Sequence, residues 1–192
     1  MRPRDVEESA EVLSIAMVTN PIHVAVYQGD GEDERKQIHA KFIRLLRGNP
    51  HEVIIAKIGM EVVGVCRFYP CDGNRVITNE VEELLEAGDS NLVGFTQRDG
   101  YWRGVWARRD PNEHHSHLGP IGVLPQHQSK GIGRRMMEEY CRALDEKRMP
   151  GYLETDRTRN VPFYKQFDFE VCGEEIIMGV MNYFMWREAQ GL

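Results

Sequence analysis

The chain carries apolar residues in two periods, one of three to four residues and one of two. The helical period predicts helices over residues 5–20, 35–47, 131–148 and 160–166, and a further short helix over 79–87. The period of two, or a short apolar run between turn residues, predicts strands over 52–58, 61–68, 117–123, 152–155, 167–172 and 181–187. Helices and strands therefore share the chain, which indicates an α/β protein.

The order of these elements predicts a mixed sheet. A turn at Gly59 joins the first two strands as a hairpin, and helices separate the two strands in the middle of the chain. Residues 71–115 are less regular, and Gly88, Gly94 and Gly100 indicate loops there. We expect all 192 residues to form a single domain, with 71–115 as an insertion on the active-site side.

Charge and composition narrow the functional classes. Acidic residues outnumber basic ones by 30 to 24, and the formal net charge of −6 argues against general binding to nucleic acid or anionic membranes. No apolar run is long enough to cross a bilayer, and the N-terminus lacks the apolar core of a signal peptide. The four cysteines fit neither a zinc ribbon nor a disulfide framework. We therefore expect a cytoplasmic protein in which Cys66 and Cys141 are buried thiols.

The clearest chemical motif is a glycine loop between a predicted strand and a predicted helix. This loop, residues 128–133 with the sequence QSKGIG, follows the strand that ends at Val123. A helix N-terminus presents unpaired N–H groups and a positive dipole end, and glycines let the backbone approach a ligand closely. The loop therefore suits a phosphate or pyrophosphate, although a simple turn before a helix would use the same glycines. The Walker and dinucleotide-binding patterns are both absent.

The glycine loop and its surroundings resemble the GNAT superfamily of N-acetyltransferases. QSKGIG matches the acyl-CoA signature Gln/Arg-x-x-Gly-x-Gly/Ala, and the following YLETDRTRNVPFYKQFDFEV is similar to the family as well. The motif core covers residues 117–172, and the first helices and the 52–68 hairpin fit the family order. Within the superfamily, HLGPIGVLPQHQSKGIG and LETDRTRNVPFY resemble puromycin N-acetyltransferase and its relatives. The resemblance implies the GNAT fold, a mixed central sheet with a splayed strand pair flanked by helices.

The resemblance also implies where acetyl-CoA binds as a co-substrate. Its pyrophosphate is expected on the amides of the glycine loop, with Arg134 nearby. The loop residues involved are Gln128, Ser129, Lys130, Gly131, Ile132 and Gly133. Its pantetheine arm is expected to pair with the backbone of Ile121 and Val123, like an added strand. Asn160 is expected either to contact the pantetheine or to cap the short helix.

The reaction implied by the resemblance is direct acetyl transfer from the thioester to an amine. A backbone N–H near Val123 would stabilise the oxyanion, and Tyr164 would protonate the departing thiolate. Glu154 and His117 are the candidates for the general base. Each side chain also has a non-catalytic interpretation. Tyr164 would be a core aromatic residue, Glu154 would bind the substrate ammonium, and His117 would be a structural histidine.

Strand alternation predicts which of these side chains share a face. A period of two places His117 with Ile121 and Val123. The same period places Tyr152 with Glu154 on the neighbouring strand. Glu154 is the preferred candidate for the base, because it lies on the strand that lines the splay.

The histidines His114, His115 and His117 raise the question of a metal site. Adjacent histidines on a strand or loop point in different directions, and Glu113 is the one carboxylate at ligand spacing. We therefore expect a solvated loop and no metal, and the superfamily requires none.

Two departures from the family pattern carry predictions. Asp168 precedes Phe169 where the family usually has Gly-Phe, so Asp168 is expected in the left-handed conformation. Only Met1 precedes Arg2 and Pro3, where the family begins with a strand. A shortened first strand would leave one edge of the sheet less covered. This departure indicates either that two copies pair there as a homodimer or that the sequence is incomplete.

The predicted function is the transfer of an acetyl group to a primary amine of a small molecule. We expect the acceptor pocket between the first helices and the segment after the hairpin, and an aromatic lining would suit an apolar or aromatic body. The expected lining residues are Tyr27, Phe42, Tyr69, Phe95, Tyr101, Trp102 and Trp106. A CoA-binding sensor without turnover and a nucleotide-phosphate enzyme with the same loop are the alternatives.

Overall fold

The computed structural model describes residues 3–48, 51–74 and 76–191. Its helices are α1 (Pro3–Met17), α2 (Pro21–Tyr27), α3 (Glu32–Arg47), α4 (Asn79–Ala87), α5 (Gly94–Arg109), α6 (Ile132–Lys147) and α7 (Val161–Lys165). Its strands are β1 (Glu52–Ile58), β2 (Glu61–Cys71), β3 (His115–Val123), β4 (Gly151–Thr155), β5 (Glu170–Ile177) and β6 (Val180–Arg187). The predicted helices correspond to α1, α3, α4, α6 and α7, and the predicted strands to β1–β6, which confirms the α/β class.

The six strands form one mixed sheet in the order β1-β2-β3-β4-β6-β5. Neighbouring strands are antiparallel, except that β3 and β4 run parallel. This parallel pair is registered only over Ser116–Leu118 and Gly151–Leu153, although β3 continues to Val123. The C-terminal ends of β3 and β4 therefore diverge, as expected for a splayed strand pair.

Helices cover both faces of the sheet with buried apolar side chains. α1, α2, α3 and α5 pack on one face, which contains Val65 and Tyr152. α6 and α7 pack on the other face, which contains Leu118 and Leu153. We call these two faces the α1 side and the α6 side.

The amphipathic pattern of α6 is confirmed by its packing. The predicted inward residues that are buried are Met136, Met137, Tyr140, Cys141 and Leu144. Ile132 is partly buried against the same core. Cys66 and Cys141 are free and buried, as predicted, and burial raises the pKa of the Cys141 thiol to about 11.

One extra residue interrupts the regular pairing of β3. Between the pairs Cys66–Ile121 and Phe68–Leu118, β3 advances one residue more than β2. β3 therefore carries a β-bulge at Gly119–Pro120, and side chains beyond it point to the opposite face from the one that alternation predicts.

The bulge separates side chains that the sequence placed together. His117 lies on the α1 side, where its ring meets that of Tyr152 at 5.2 Å. Ile121 and Val123 pack instead against the α6 core. The prediction that these three residues of β3 share a face was wrong, because a period of two does not continue through an inserted residue. Glu154 and Tyr152 occupy alternate positions of β4 without an interruption.

The helices α2 and α5 were not predicted from the sequence. α2 begins with Pro21, which was predicted only to end the preceding helix, but proline fits the first turn of a helix, where its N–H is not needed. α5 begins at Gly94 and continues through Gly100, so the prediction of loops at these glycines was wrong. A Cβ at Gly104 would lie 2.4 Å from Cγ1 of Val81. This glycine therefore permits the close packing of α5 against α4.

Asp168 has a φ of 64°, which confirms its predicted left-handed conformation. β1 and β5 are the edges of the sheet among the described residues. Met1 and Arg2 lie outside those residues, so pairing of two copies at a sheet edge stays a prediction.

Within the described ranges, no single helix has both the length and the apolarity to cross a membrane. The pair Arg4–Met17 and Pro21–Tyr27 meets that test only in combination, with a bend of 94° between the two helices. Both helices contribute buried residues to the core on the α1 side.

Candidate active site

A cavity of about 830 Å³ lies between the central strands and the helices of the α1 side. α4 and α5, both within the predicted insertion, supply much of its wall. The expected aromatic residues that line it are Phe42, Tyr69, Trp102 and Trp106. Tyr27, Phe95 and Tyr101 are not part of the lining, and Tyr27 packs on Phe95 at a ring distance of 4.9 Å. We call this space the central cavity.

The central cavity reaches through the gap between β3 and β4. The predicted site residues that line it are His117, Ile121, Glu154, Asn160 and Tyr164. His117 lies on the α1 side, whereas Tyr164 belongs to the core on the α6 side. The cavity therefore joins both faces at the point where the two strands diverge.

His117 lies between two carboxylates inside the protein. Its Nε2 lies 2.8 Å from Oε2 of Glu154, and its Nδ1 lies 3.0 Å from Oδ2 of Asp110. The side chains of all three residues are at most 6% exposed. A neutral imidazole carries one N–H, so both contacts are hydrogen bonds only if the ring or one acid holds an extra proton. We call Asp110, His117 and Glu154 the proton network.

Glu154 lines the central cavity and is the member of the proton network with an unused oxygen. Its Oε1 is buried and has no hydrogen-bond partner among the described residues. The ring of Tyr69 stacks on His117 at 5.0 Å with an interplanar angle of 13°, which helps to hold the imidazole in place. Asp110, directly after α5, was missed because no sequence motif marks it and 71–115 was expected to contain loops.

The expectation of a solvated histidine loop was wrong for His115 and His117, which lie in β3 and are 0% and 5% exposed. Nε2 of His115 lies 3.4 Å from Oδ1 of Asp110, and Sγ of Cys71 lies 3.5 Å from the same oxygen. The ligand-type atoms of these three residues lie within 4.8 Å of one another, as do those of the proton network. The absence of a metal stays a prediction.

Tyr164 combines a core position with access to the central cavity. It is 5% exposed, and its ring meets that of Phe163 at 5.3 Å. Burial raises the pKa of its hydroxyl, and nearby Cys66 and Asp156 raise it further. The hydroxyl is therefore protonated at neutral pH, as a general acid must be before it reacts.

The glycine loop forms an open turn at the start of α6. Ser129 and Gly131 have positive φ values of 60° and 80°. No described atom would lie within 4 Å of a Cβ at Gly131, and no side chain caps α6 there. Lys130 is exposed, and the side chain of Arg134 contacts that of Gln166. The first amides of α6 therefore face open space at the positive end of the helix dipole.

The backbone edge of β3 beside the gap is also unpaired with β4. The N–H of Leu124 donates to the carbonyl of Val63 on β2 at 2.9 Å. Backbone groups alternate in direction along a strand, so the N–H groups of Ile121 and Val123 point away from β2 and into the gap. Nε2 of Gln128 donates to the carbonyl of Val123 at 3.0 Å, which ties the glycine loop to this edge.

Asn160 is placed by the segment after β4. Its side chain makes no capping hydrogen bond with α7, so the capping alternative was wrong. Its Nδ2 instead donates to Oγ1 of Thr155 at 3.2 Å. The neighbouring Asp156 accepts a hydrogen bond from the N–H of Ile22 at 2.8 Å, and this contact holds the start of α2 against the cavity wall.

The stability of the protein is expected to depend on pH through His23, which is buried in the cavity wall. Burial, followed by the charges of Lys41 and Arg157, lowers its pKa from 6.5 to about 3. Between these two values the unfolded chain binds a proton that the folded chain excludes, so stability falls as the pH decreases below about 6.5. His23→Phe keeps a ring but removes the titration. We expect wild type to lose about 2 kcal/mol more than this variant between pH 7 and pH 5.

Urea unfolding of both proteins at the two pH values measures this difference. Groups other than His23 titrate in both proteins and cancel in the comparison. Equal losses of unfolding free energy in wild type and His23→Phe would contradict the assignment of a neutral buried histidine.

The comparison with known families decides the identity of the fold. The sequence matches the model described as "Acetyltransferase (GNAT) family" over residues 14–169. The chain belongs to this family. A curated relative, the "Uncharacterized N-acetyltransferase YjcF" of Bacillus subtilis (strain 168), is 28% identical over 96 residues. That alignment covers 50% of this chain and 66% of the relative's length.

Solved structures confirm the GNAT fold. A histone acetyltransferase HPA2 and related acetyltransferase from Corynebacterium glutamicum superimposes with a TM-score of 0.69 at 15% identity, covering 100% of this chain and 95% of that chain. A GNAT family acetyltransferase from Brucella melitensis in complex with acetyl-CoA gives a TM-score of 0.53 at 16% identity, covering 100% and 86%. The family supports the expected enzyme class, an acyltransferase that uses acetyl-CoA. The resemblance to puromycin N-acetyltransferases stays a prediction.

Proposed function

We propose that this GNAT protein transfers the acetyl group of acetyl-CoA to a primary amine of a small molecule, within a complex that holds both substrates. The observation that carries the proposal is the central cavity, whose lining at the gap between β3 and β4 includes both Glu154 and Tyr164. The amine nitrogen forms a bond to the acetyl carbon while the bond from that carbon to sulfur breaks. The products are an N-acetylated amine and CoA with a free thiol.

Two features of the described residues support the placement of acetyl-CoA. The glycine loop and the first turn of α6 offer backbone amides to the pyrophosphate, and exposed Lys130 adds positive charge. The N–H groups of Ile121 and Val123 face the gap, where the pantetheine arm would extend β3. Asn160 lines the same space and offers a side-chain amide to that arm.

The proton network is the proposed route for the amine proton. Oε1 of Glu154 accepts a hydrogen bond from the acceptor ammonium and then takes its proton, which leaves a neutral amine for the attack. His117 holds the other oxygen of Glu154, and Asp110 holds the far side of His117, so these two act as positioning residues. This order explains why His117, which has both ring nitrogens engaged, is not the direct base.

Tyr164 is the proposed acid, and the edge of β3 is the proposed oxyanion site. The Tyr164 hydroxyl gives its proton to the departing thiolate, and the second proton that leaves the attacking nitrogen restores the hydroxyl. A backbone N–H near Val123 stabilises the negative oxygen that develops on the acetyl carbonyl. The cytoplasmic location and the independence of metal are parts of the same proposal.

A thiol-release assay with acetyl-CoA and a panel of primary amines tests the proposed function. We expect amine-dependent release of CoA and a matching N-acetylated product by mass spectrometry. Binding of acetyl-CoA without release for any amine would favour the sensor alternative. Stronger competition by ATP or NAD than by CoA would favour the nucleotide alternative.

A substitution at Gly131 separates cofactor binding from acceptor binding. Gly131→Val places a branched side chain in the open space before α6, so we expect the KM for acetyl-CoA to rise by at least about tenfold, a cost near 1.4 kcal/mol, with little change for the amine. Gly179→Val is a matched control, because Gly179 also has a positive φ, 77°, with no described atom within 4 Å of its Cβ position. Equal rises in both KM values for Gly131→Val would contradict the placement of the cofactor.

A further inference from the structure

Arg67 is a buried cation that the proposed reaction does not use. It lies on β2, is 5% exposed and lines the central cavity. Burial lowers the pKa of its guanidinium, and among the described groups Tyr69 is the one that opposes this effect. A buried charge is strongly unfavourable unless an opposite charge compensates it. The position therefore favours a ligand with a negative charge.

The other cations of the cavity wall already have an acidic partner. Nζ of Lys41 lies 3.0 Å from Asp99, and Nε of Arg103 lies 3.0 Å from the second oxygen of the same carboxylate. None of the ion pairs between described residues includes Arg67. Among the described lysine and arginine residues of the cavity wall, Arg67 is thus the one without an acidic partner.

The contacts of Arg67 hold its position without neutralising it. Its Nη1 donates to the carbonyl of Gly119 at 3.0 Å, and its Cζ lies 4.5 Å from the centre of the Tyr69 ring. Its Nε is buried and has no hydrogen-bond partner among the described residues. A guanidinium has five N–H donors, so the contacts with the β3 bulge and with the Tyr69 side chain leave capacity for a carboxylate.

The position of Arg67 in the cavity wall favours contact with the acceptor over contact with acetyl-CoA. The ring of Tyr69 contacts both Arg67 and His117, so Arg67 lies one aromatic ring away from the proton network. The glycine loop, which is the proposed site of the CoA pyrophosphate, is not part of the cavity lining. The missing negative charge therefore belongs to the molecule whose amine meets Glu154.

We infer that the acceptor is an amine that also carries a carboxylate, and that Arg67 binds this carboxylate. The inference rests on the proposed function and names its substrate class, an amino acid with an apolar or aromatic body. Trp102, Trp106 and Phe42 line the same cavity and offer aromatic surface to that body. A planar guanidinium suits a carboxylate better than a lysine does, because it can donate two parallel hydrogen bonds.

Matched acceptors test the inference directly. One series is phenylalanine, phenylalanine amide and 2-phenylethylamine, and a second is 5-aminopentanoic acid, its amide and pentylamine. For wild type we expect kcat/KM in at least one series to be about 10- to 100-fold higher for the acid than for the amide, the range for a charge-assisted hydrogen bond. Arg67→Gln is expected to remove this preference and to leave the amide and the plain amine nearly unchanged.

Arg103→Gln is the control variant, because it removes a cavity cation that already has a partner, and we expect it to keep the preference for the acid. Equal rates for acid and amide with wild type would overturn the inference while the proposed function stands. A uniform loss of kcat/KM over all acceptors in Arg67→Gln, with an unchanged preference for the acid, would also overturn the inference. Arg67 would then only support the β3 bulge.

Binding of the acid and of its amide tests the inference even if the protein shows no turnover of either ligand. The thermal stability of the CoA-saturated protein is measured with each acid and its amide, since a ligand that binds the folded state raises the Tm. We expect a larger rise with the acid for wild type and equal rises for Arg67→Gln. No thiol release with any amine would refute the proposed function, and equal rises in wild type would refute the inference.

Discussion

Replacing Glu154 with glutamine is expected to lower kcat by about 10²- to 10⁴-fold, the range for loss of a general base. Glutamine has nearly the same shape as glutamate, but it cannot take the proton of the acceptor ammonium. The KM for acetyl-CoA is expected to change little, because the glycine loop and the edge of β3 do not depend on this carboxylate. Initial rates of thiol release at saturating acetyl-CoA measure the effect.

The pH profile separates a base from a structural carboxylate. The deficit of Glu154→Gln is expected to shrink as the pH rises, because more of the amine loses its proton in solution. Asp110→Asn should show a smaller deficit with the same pH trend, since Asp110 acts through His117. Glu174→Gln, on the exposed side of β5, is the control and should keep the wild-type rate. A wild-type profile for Glu154→Gln would exclude Glu154 as the base.

Replacing Tyr164 with phenylalanine is expected to lower kcat by a similar factor, about 10²- to 10⁴-fold, because one hydroxyl supplies the proton to the thiolate. The ring stays in the α6 core, so we expect the fold and the binding of both substrates to be retained. Rates of thiol release and the affinity for acetyl-CoA, measured together, distinguish lost chemistry from lost binding.

Tyr140→Phe is the matched control for the loss of a buried hydroxyl. Tyr140 is 0% exposed, and its hydroxyl donates to the carbonyl of Ser116 at 2.9 Å. Its removal is expected to lower the free energy of unfolding by about 1 kcal/mol and to leave kcat nearly unchanged. If Tyr164→Phe behaved in the same way as Tyr140→Phe, Tyr164 would be a core residue without a role in proton transfer.

Local sequence signals predicted the part of the site that is built from one continuous segment. The glycine loop, α6, β4 and Tyr164 lie within 117–172, where apolar periods, glycines and the family motif agree with one another. Asp168 was also predictable, because a left-handed residue at the end of a short helix depends on the local backbone alone.

Contacts between distant segments could not be predicted in the same way. Asp110 approaches His117 from the end of α5, and Arg67 approaches the bulge of β3 from β2. Neither residue belongs to a motif, and each gains its environment from a neighbour that only the sheet and helix packing supply. The bulge adds one residue to β3 at Gly119–Pro120, so the spacing from Leu118 to Ile121 is three residues instead of two. Glycine and proline inside a strand often mark a bulge, and simple alternation failed beyond Leu118 because it was continued through this pair.

By itself the sequence determined the α/β class, the order of the strands along the chain, the amphipathic face of α6 and the glycine turn before it, because each depends on residues close together in the chain. Only the tertiary structure decided which carboxylates meet His117, which face the residues beyond the bulge occupy and which cation of the cavity wall has no acidic partner among the described residues. These features are set by burial and by pairing between segments far apart in sequence, and both exist only once the sheet and its helices have packed.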